Sequence, residues 1–315
     1  MSFNDLKTVI IGGGGFIGRR VTKLLTTQRS QIIVLGRAAV PICELPPESI
    51  YLSGDYGDRK TLQSVLEPGC EVIDLAYSTV PKTSFENPVF DLVSNLPCSV
   101  GLLEECLRVG VGRLVLVSSG GTVYGSVDSL PITEDHPTRP ISPYGITKLA
   151  IDRYAMMFHR NNSLPVTVVR PGNAYGEDQR SGTGQGFIAA AIDAILSRNE
   201  IEIFGVHGTI RDYIHVNDVA SGIVAALEKG EDGAIYNIGT GIGSSNADVI
   251  KMLEVLAVDE GIDVKQITRP ARRFDVEANI LDSTRLWQRS GWKAKVDIEQ
   301  GIKKMWQSRL SSRGH

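Results

Sequence analysis

The stretch Ile11-Gly12-Gly13-Gly14-Gly15-Phe16-Ile17-Gly18 follows a β-branched run, Thr8-Val9-Ile10-Ile11, and leads into a helical one. Its glycines at 12, 15 and 18 read Gly-x-x-Gly-x-x-Gly. Glycine permits a tight turn from strand to helix and lets backbone N–H groups close on a pyrophosphate at the helix N-terminus. Gly18 lets the helix pack close on the strand. A turn in this context confines the chain to a strand–turn–helix unit and marks a dinucleotide site, with Gly12, Gly15, Phe16, Ile17 and Gly18 as candidate contacts.

The rest of the chain extends that unit. Gln31–Leu35, Val72–Ala76, Arg113–Val117 and Val166–Val169 are short, nearly continuous apolar runs. Such runs fit a parallel sheet covered on both faces, with helices expected near 16–28, 58–67, 88–109 and 143–161. The expected fold class is α/β: a doubly wound parallel Rossmann sheet with a second, smaller α/β substrate domain. We place the dinucleotide-binding domain at 1–170, with return crossings near 205–240, and most of the substrate domain at 171–315. Helices are expected near 186–198 and 217–229, after a Gly/Ser/Gln-rich loop at 177–186. The helix near 143–161 is apolar on more than one side, which suits packing on the sheet and on a second subunit. A homodimer through the helices near 88–109 and 143–161 is the expected assembly.

Tyr144 and Lys148 stand four residues apart within Ser142-Pro143-Tyr144-Gly145-Ile146-Thr147-Lys148. That spacing stacks both side chains on one helix face. An ammonium near a phenol lowers its pKa from about 10 toward the range of a working base. Ser142 is a suitable N-cap and Pro143 a suitable first helical residue.

Composition narrows the function classes. A net charge of −3 without a basic block disfavours nucleic-acid binding. The 4 cysteines, Cys43, Cys70, Cys98 and Cys106, form no Cys-x-x-Cys pair and read as free thiols of a reducing compartment. The 5 histidines show no metal-ligand spacing, so no metal is expected. With no charged leader or long apolar run at the N-terminus, a cytoplasmic protein with no membrane partner is expected.

The end of the second strand, where a carboxylate usually meets the adenosine ribose of NAD, carries Gly36-Arg37. Arg37 is either a clamp for a 2′-phosphate, favouring NADP, or a solvated residue above a NAD site. In Gly54-Asp55-Tyr56, Asp55 is placed to accept from the adenine amino group. Leu75, Ala76 and Tyr77 bring backbone to the phosphates and ribose. The cofactor is therefore written NAD(P).

Taken in order, these motifs resemble the extended short-chain dehydrogenase/reductases, in the nucleotide-sugar branch of the UDP-galactose 4-epimerases. The resemblance covers nearly the whole chain and implies a nucleotide-diphosphate sugar as partner, in sugar-nucleotide or polysaccharide biosynthesis. Arg170-Pro171-Gly172-Asn173-Ala174-Tyr175-Gly176 is similar to a family segment whose asparagine, here Asn173, contacts the substrate phosphate. Arg211-Asp212-Tyr213-Ile214-His215-Val216 matches a run whose arginine grips the diphosphate. Arg272 and Asp275 match residues that hold diphosphate and nucleotide ribose, and Asn95 a helix asparagine near the active site. Asn237-Ile238-Gly239-Thr240-Gly241 is another shared segment. Arg211 and Arg272 converging on a diphosphate would neutralise it through charge-assisted bonds. The segment at Gly184-Gln185-Gly186-Phe187 departs from the uracil-contacting pattern; Phe204 either stacks a base or belongs to the core.

The resemblance implies that Tyr144 takes a hydroxyl proton while hydride leaves for the nicotinamide. It also implies that Lys148 binds the nicotinamide ribose and that a serine or threonine bonds the substrate oxygen. Within Ser118-Ser119-Gly120-Gly121-Thr122-Val123-Tyr124-Gly125 that hydroxyl position falls on Gly120. If the segment stays extended, Thr122 shares its face and is the favoured substitute, followed by Ser119 or Ser118, with a bound water as the alternative. The Asp-Glu pair of the 4,6-dehydratase branch is replaced by Gly121 and Thr122, which disfavours dehydration. A 4-epimerase is the leading expectation and an NADPH-dependent 4-ketosugar reductase the second. A non-catalytic nucleotide sensor is third.

Overall fold

The computed structural model describes residues 6–181, 186–270 and 276–313. Seven parallel strands make the central sheet: Lys7–Ile11, Gln31–Gly36, Ser49–Ser53, Glu71–Asp74, Arg113–Val117, Val166–Pro171 and Ile235–Ile238. In space they stand in the order seventh, sixth, fifth, fourth, first, second, third. The first strand therefore has the second on one side (Val9 opposite Ile33) and the fourth on the other (Val9 opposite Val72). This reversal of strand order is the topological switch point, where a doubly wound sheet opens a crevice beyond the strands' carboxyl ends.

Alternation explains why the runs are apolar throughout. Val9 and Ile11 enter one core cluster, with Leu103, Leu114 and Val166, while Ile10 enters the other, with Val34, Ile223 and Ile238. Both faces are thus covered, as the period of two requires. Helix Gly18–Leu25 starts later than the expected 16 because Phe16 and Ile17 are still part of the turn. Helix Pro88–Val109 begins with an Asn87 cap onto the Phe90 N–H, and helix Pro143–Asn162 with a Ser142 cap onto Gly145. These two helices pack on each other. They leave Val89, Phe90, Val93, Ile146, Tyr154 and Met157 exposed along their outer side.

A separate apolar cluster contains Ile188, Ile192, Val249, Leu253, Ile302 and Trp306, from helices Phe187–Leu196, Asn246–Asp259 and Ile298–Arg313. Two stretches of 171–315 belong instead to the sheet. Helix Val216–Lys229 and strand Ile235–Ile238 join the Ile10 cluster, and so do Leu286 of helix Thr284–Ser290 and Trp292. The second of these returns has no counterpart in the sequence reading, because a short helix with one buried leucine carries little periodicity. Among the described residues no helix is long and apolar enough to cross a membrane.

Candidate active site

The glycine turn lies at the switch point. Gly12 has φ +76°, and a Cβ there would stand 3.1 Å from the Ala76 nitrogen. At Gly18 a Cβ would be 2.3 Å from the residue 12 carbonyl, so the helix reaches the turn this closely only because residue 18 is glycine. Leu75 N–H donates to Ile11 O (2.9 Å) and Ala76 N–H to the Asp74 carboxylate (3.0 Å), which brings Leu75-Ala76 beside the turn. Cys43 Sγ, from the loop after the second strand, donates to Gly14 O at 3.2 Å. Arg37 and Asp55 are exposed at the neighbouring strand ends, with Asp55 also accepting from Gly57 N–H (2.8 Å). The Tyr56 side chain is 7% exposed and packs in the sheet core, so Tyr56 meets a ligand there through its backbone alone.

Tyr144 and Lys148 share the first turns of their helix, as the spacing requires, but their electrostatics differ from expectation. The Tyr144 phenol is pushed above its ordinary value by burial and then by the Asp91 carboxylate, with Ser119 acting in the opposite sense. Lys148 does not counter this. Its Nζ donates to Val117 O at 2.8 Å and lies 4.2 Å from the Tyr77 ring centre. Tyr77 in turn meets Tyr144 edge-on, with ring centres 4.8 Å apart. Burial lowers Lys148 to about 8, while Asp74, Asp152 and Asp91 favour its charged form. Asp74 is pushed up to about 6 by burial, an effect Lys148 partly offsets.

The chain does not stay extended after the fifth strand; it turns at Ser119 into the short helix Gly120–Val123. Ser118 is turned inward, its hydroxyl buried without a hydrogen-bond partner among the described residues. Of Ser118, Ser119 and Thr122, it is Ser119 that acts on the Tyr144 phenol, in the sense that lowers its pKa. The Thr122 hydroxyl is buried without a hydrogen-bond partner among the described residues. The strand alternation that favoured Thr122 does not hold, because the segment is helical from Gly120. Gly120 itself admits no side chain: a Cβ would be 2.5 Å from Leu281 Cδ1 and 2.8 Å from Arg170 O.

Sequence reasoning missed the layer beneath the pair. Asp91 is fully buried and accepts from Thr147 Oγ1 (2.7 Å), from Thr79 Oγ1 and, more weakly, from Tyr77 OH (3.4 Å). Its signal was a lone carboxylate inside Val89-Phe90-Asp91-Leu92-Val93. Asn95 is also fully buried. It accepts from Ser78 N–H (2.7 Å) and donates to Asp91 O (2.7 Å), so it positions the 77–79 loop instead of facing a substrate. Ser84 Oγ accepts from Tyr144 N–H at 3.2 Å.

The second half contributes both scaffold and rim. Arg170 is 2% exposed and pairs with Asp152 at 3.0 Å, also donating to Tyr124 OH (3.0 Å). Tyr124 OH donates to Asn237, which donates to Ile132 O, so Asn237 is a structural residue. Asp212 is buried under Thr240 and Gly241 N–H and Leu281 N–H, fixing the strand that carries Arg211. His215 is fully buried against Glu177 (3.1 Å), and burial lowers its pKa. Glu177 and Asp178 also bind Arg19 and Arg20 of the first helix, drawing this loop onto the glycine turn. Asn173 is half-buried, its Oδ1 3.0 Å from where a Cβ on Gly121 would stand. Phe204 ends strand Ile201–Phe204 on the face away from buried Ile201 and Ile203. Arg272 and Asp275, with Gly184 and Gln185, lie outside the described residues.

A parallel doubly wound sheet, a glycine turn at its switch point and a Tyr/Lys helix beside a serine define a dinucleotide-dependent enzyme of the short-chain dehydrogenase/reductase type. The model of the NAD dependent epimerase/dehydratase family matches residues 8–239, and the chain belongs to that family. It is 30% identical over 299 residues to a putative UDP-glucose 4-epimerase of Methanocaldococcus jannaschii, covering 94% of this chain and 96% of that protein. Among solved structures it is similar to the UDP-glucose 4-epimerase of Thermotoga maritima with UDP-glucose. That match has TM-score 0.91 and 31% identity over 98% of this chain and 100% of the other. The UDP-glucose 4-epimerase of Thermus thermophilus in complex with NAD gives TM-score 0.88 and 29% identity, with 98% and 100% covered.

Proposed function

We propose that the protein is a nucleotide-sugar 4-epimerase that oxidises the sugar transiently at C4 and reduces it again on the opposite face. The observation that carries this reading is the Tyr144/Lys148 pair one turn apart at the start of helix Pro143–Asn162, with the Tyr77 ring packed against both side chains. The glycine turn fits a dinucleotide on two counts: Gly12 and Gly18 leave no room for a Cβ, and the space beside Gly14 is open. When bound, the dinucleotide accepts and returns the C4 hydride. Tyr144 Oη takes the C4 hydroxyl proton and later gives it back, and Ser119 Oγ holds the same sugar oxygen in place. Lys148, charged below about 8, binds the nicotinamide ribose. Asn173, Arg211 and Arg272 hold the diphosphate, Asp275 the nucleotide ribose, and Phe204 the base. Asp55 and the Leu75–Tyr77 backbone line the cofactor.

Similarity to UDP-glucose 4-epimerases over nearly the full chain supports epimerisation. Gly36 and Arg37 support the second reading, an NADPH-dependent reductase of a nucleotide-linked 4-keto sugar. Dehydration is disfavoured because no carboxylate occurs in Ser118–Tyr124. The outer faces of helices Pro88–Val109 and Pro143–Asn162 form the proposed homodimer interface.

The test is turnover of a panel of UDP- and dTDP-hexoses without added NADPH, followed by denaturation and identification of released cofactor. C4 epimers formed with a retained dinucleotide are expected. Conversion only of 4-keto sugars, with stoichiometric NADPH oxidation, would establish the reductase instead.

A further inference from the structure

Gly36 ends the second strand, about 20 residues beyond the glycine turn, where dinucleotide sites place the acid that reads an unphosphorylated ribose. The backbone does not demand glycine there, since Gly36 is absent from the positive-φ glycines. What demands it is Tyr51 on the adjacent strand. A Cβ at position 36 would lie 2.7 Å from the Tyr51 hydroxyl, 3.1 Å from its Cε2 and 3.3 Å from its Cζ. Tyr51 is opposite Val34 in register, so its ring runs along the sheet past Gly36. Its hydroxyl donates to Ala38 O at 2.7 Å, which fixes the ring in that position. Exposed Arg37 is the charge next in line, and Cys43 ties the following loop to Gly14.

We infer that Tyr51 is a specificity-determining residue of the cofactor site: it excludes an acidic side chain from position 36 and leaves Arg37 to meet an adenosine 2′-phosphate. The inference rests on the dinucleotide reading of the glycine turn and holds for epimerase or reductase alike. An acid at 36 would have to displace a ring that is hydrogen-bonded at its far end, so Gly36 and Tyr51 act as a unit. Arginine suits a phosphate through its fork of donors, whereas a ribose hydroxyl is better held by a carboxylate.

The experiment is titration of NAD and NADP into the purified protein, stripped of any carried dinucleotide, by calorimetry and by thermal shift. The wild-type protein is expected to hold NADP at least as tightly as NAD. Gly36→Asp alone should weaken both by about tenfold or more, and Gly36→Asp with Tyr51→Val should restore NAD and reverse the preference by about tenfold. A cofactor-independent check uses Gly36→Ala: it should lower Tm beside Tyr51 and lose that effect in the Tyr51→Val background. A wild-type protein that holds NAD the tighter of the two would overturn the inference. So would a Gly36→Asp protein that turns to NAD without help from Tyr51→Val, or Gly36→Ala costs that are equal in both backgrounds. Binding of neither dinucleotide to the wild-type protein would remove the underlying reading as well.

Discussion

Gly120 is roofed by Leu281, whose Cδ1 would stand 2.5 Å from a Cβ there, while Ser119 beside it acts to lower the Tyr144 pKa. The proposed function therefore assigns the hydroxyl that holds the reacting oxygen to Ser119, one residue earlier than the family pattern places it. Ser119→Ala should lower kcat by about 10²–10³, the loss typical of one donor at a developing oxyanion, with KM little changed. Thr122→Val, at a buried hydroxyl outside the pair, should cost less than about tenfold in kcat. Steady-state kinetics on both variants decides it, and the reverse order would return the role to Thr122.

Tyr144→Phe removes the proton acceptor and keeps the ring against Tyr77. Turnover should drop by about 10²–10⁴. Dinucleotide binding, read by calorimetry, should survive because the glycine turn and Lys148 are untouched. Full turnover in this variant would sink the assignment of Tyr144 as base.

The same geometry explains what could be read from the sequence and what could not. The glycine turn, the Ser142 cap, Pro143 and the Tyr144/Lys148 spacing obey local rules, and the structure places them as those rules require. Gly120 obeys a distant one, because Leu281 comes from the far end of the chain and no local pattern announces it. The rule that favoured Thr122 was a strand rule, and the segment turns helical at Ser119. The pKa of Tyr144 was misread because the local pattern supplied Lys148 but neither the burial of the phenol, which is the larger cause of its rise, nor Asp91, whose charge arrives from another helix.

Gly120→Ser tests that long-range contact. Restoring the family's hydroxyl puts a side chain into Leu281 Cδ1 and Arg170 O, an overpacking that should cost about 1–3 kcal/mol and lower Tm. Combined with Leu281→Ala, it should cost less than the sum of the two single losses, because the leucine is the clashing partner. Strict additivity in denaturant melts would show that the two sites do not meet.

The exposed apolar side of the paired helices gives a prediction about assembly. Val89 and Val93 are 70% and 55% exposed, one turn apart, with Ile146 at 56% on the partnering helix. Light scattering should find a dimer of the wild-type chain, and Val93→Glu with Ile146→Glu should give a folded monomer. Retention of the dimer in the double variant would move the interface elsewhere.

Asp91 offers a pH test whose sign can be worked out in advance. Its carboxylate raises the Tyr144 pKa, disfavouring the phenolate, and raises that of Lys148, favouring the ammonium. Asp91→Asn removes the charge yet can keep an acceptor for Thr147, so the fold should survive with a loss of about 1–3 kcal/mol. With the charge gone, the phenol ionises more readily, and the Lys148 ammonium, at about 8 already below the raised phenol, loses a favourable neighbour, so both pKa values fall. The two limbs of the kcat/KM–pH profile belong to the coupled pair, the rising one following the lower pKa and the falling one the higher, and both should move to lower pH. Both limbs shifting downward together is the expected signature of a carboxylate acting on the pair. A rising limb that stays in place or moves upward, in a variant that still melts cooperatively, would mean that Asp91 serves only to hold Thr79, Thr147 and Tyr77 in position.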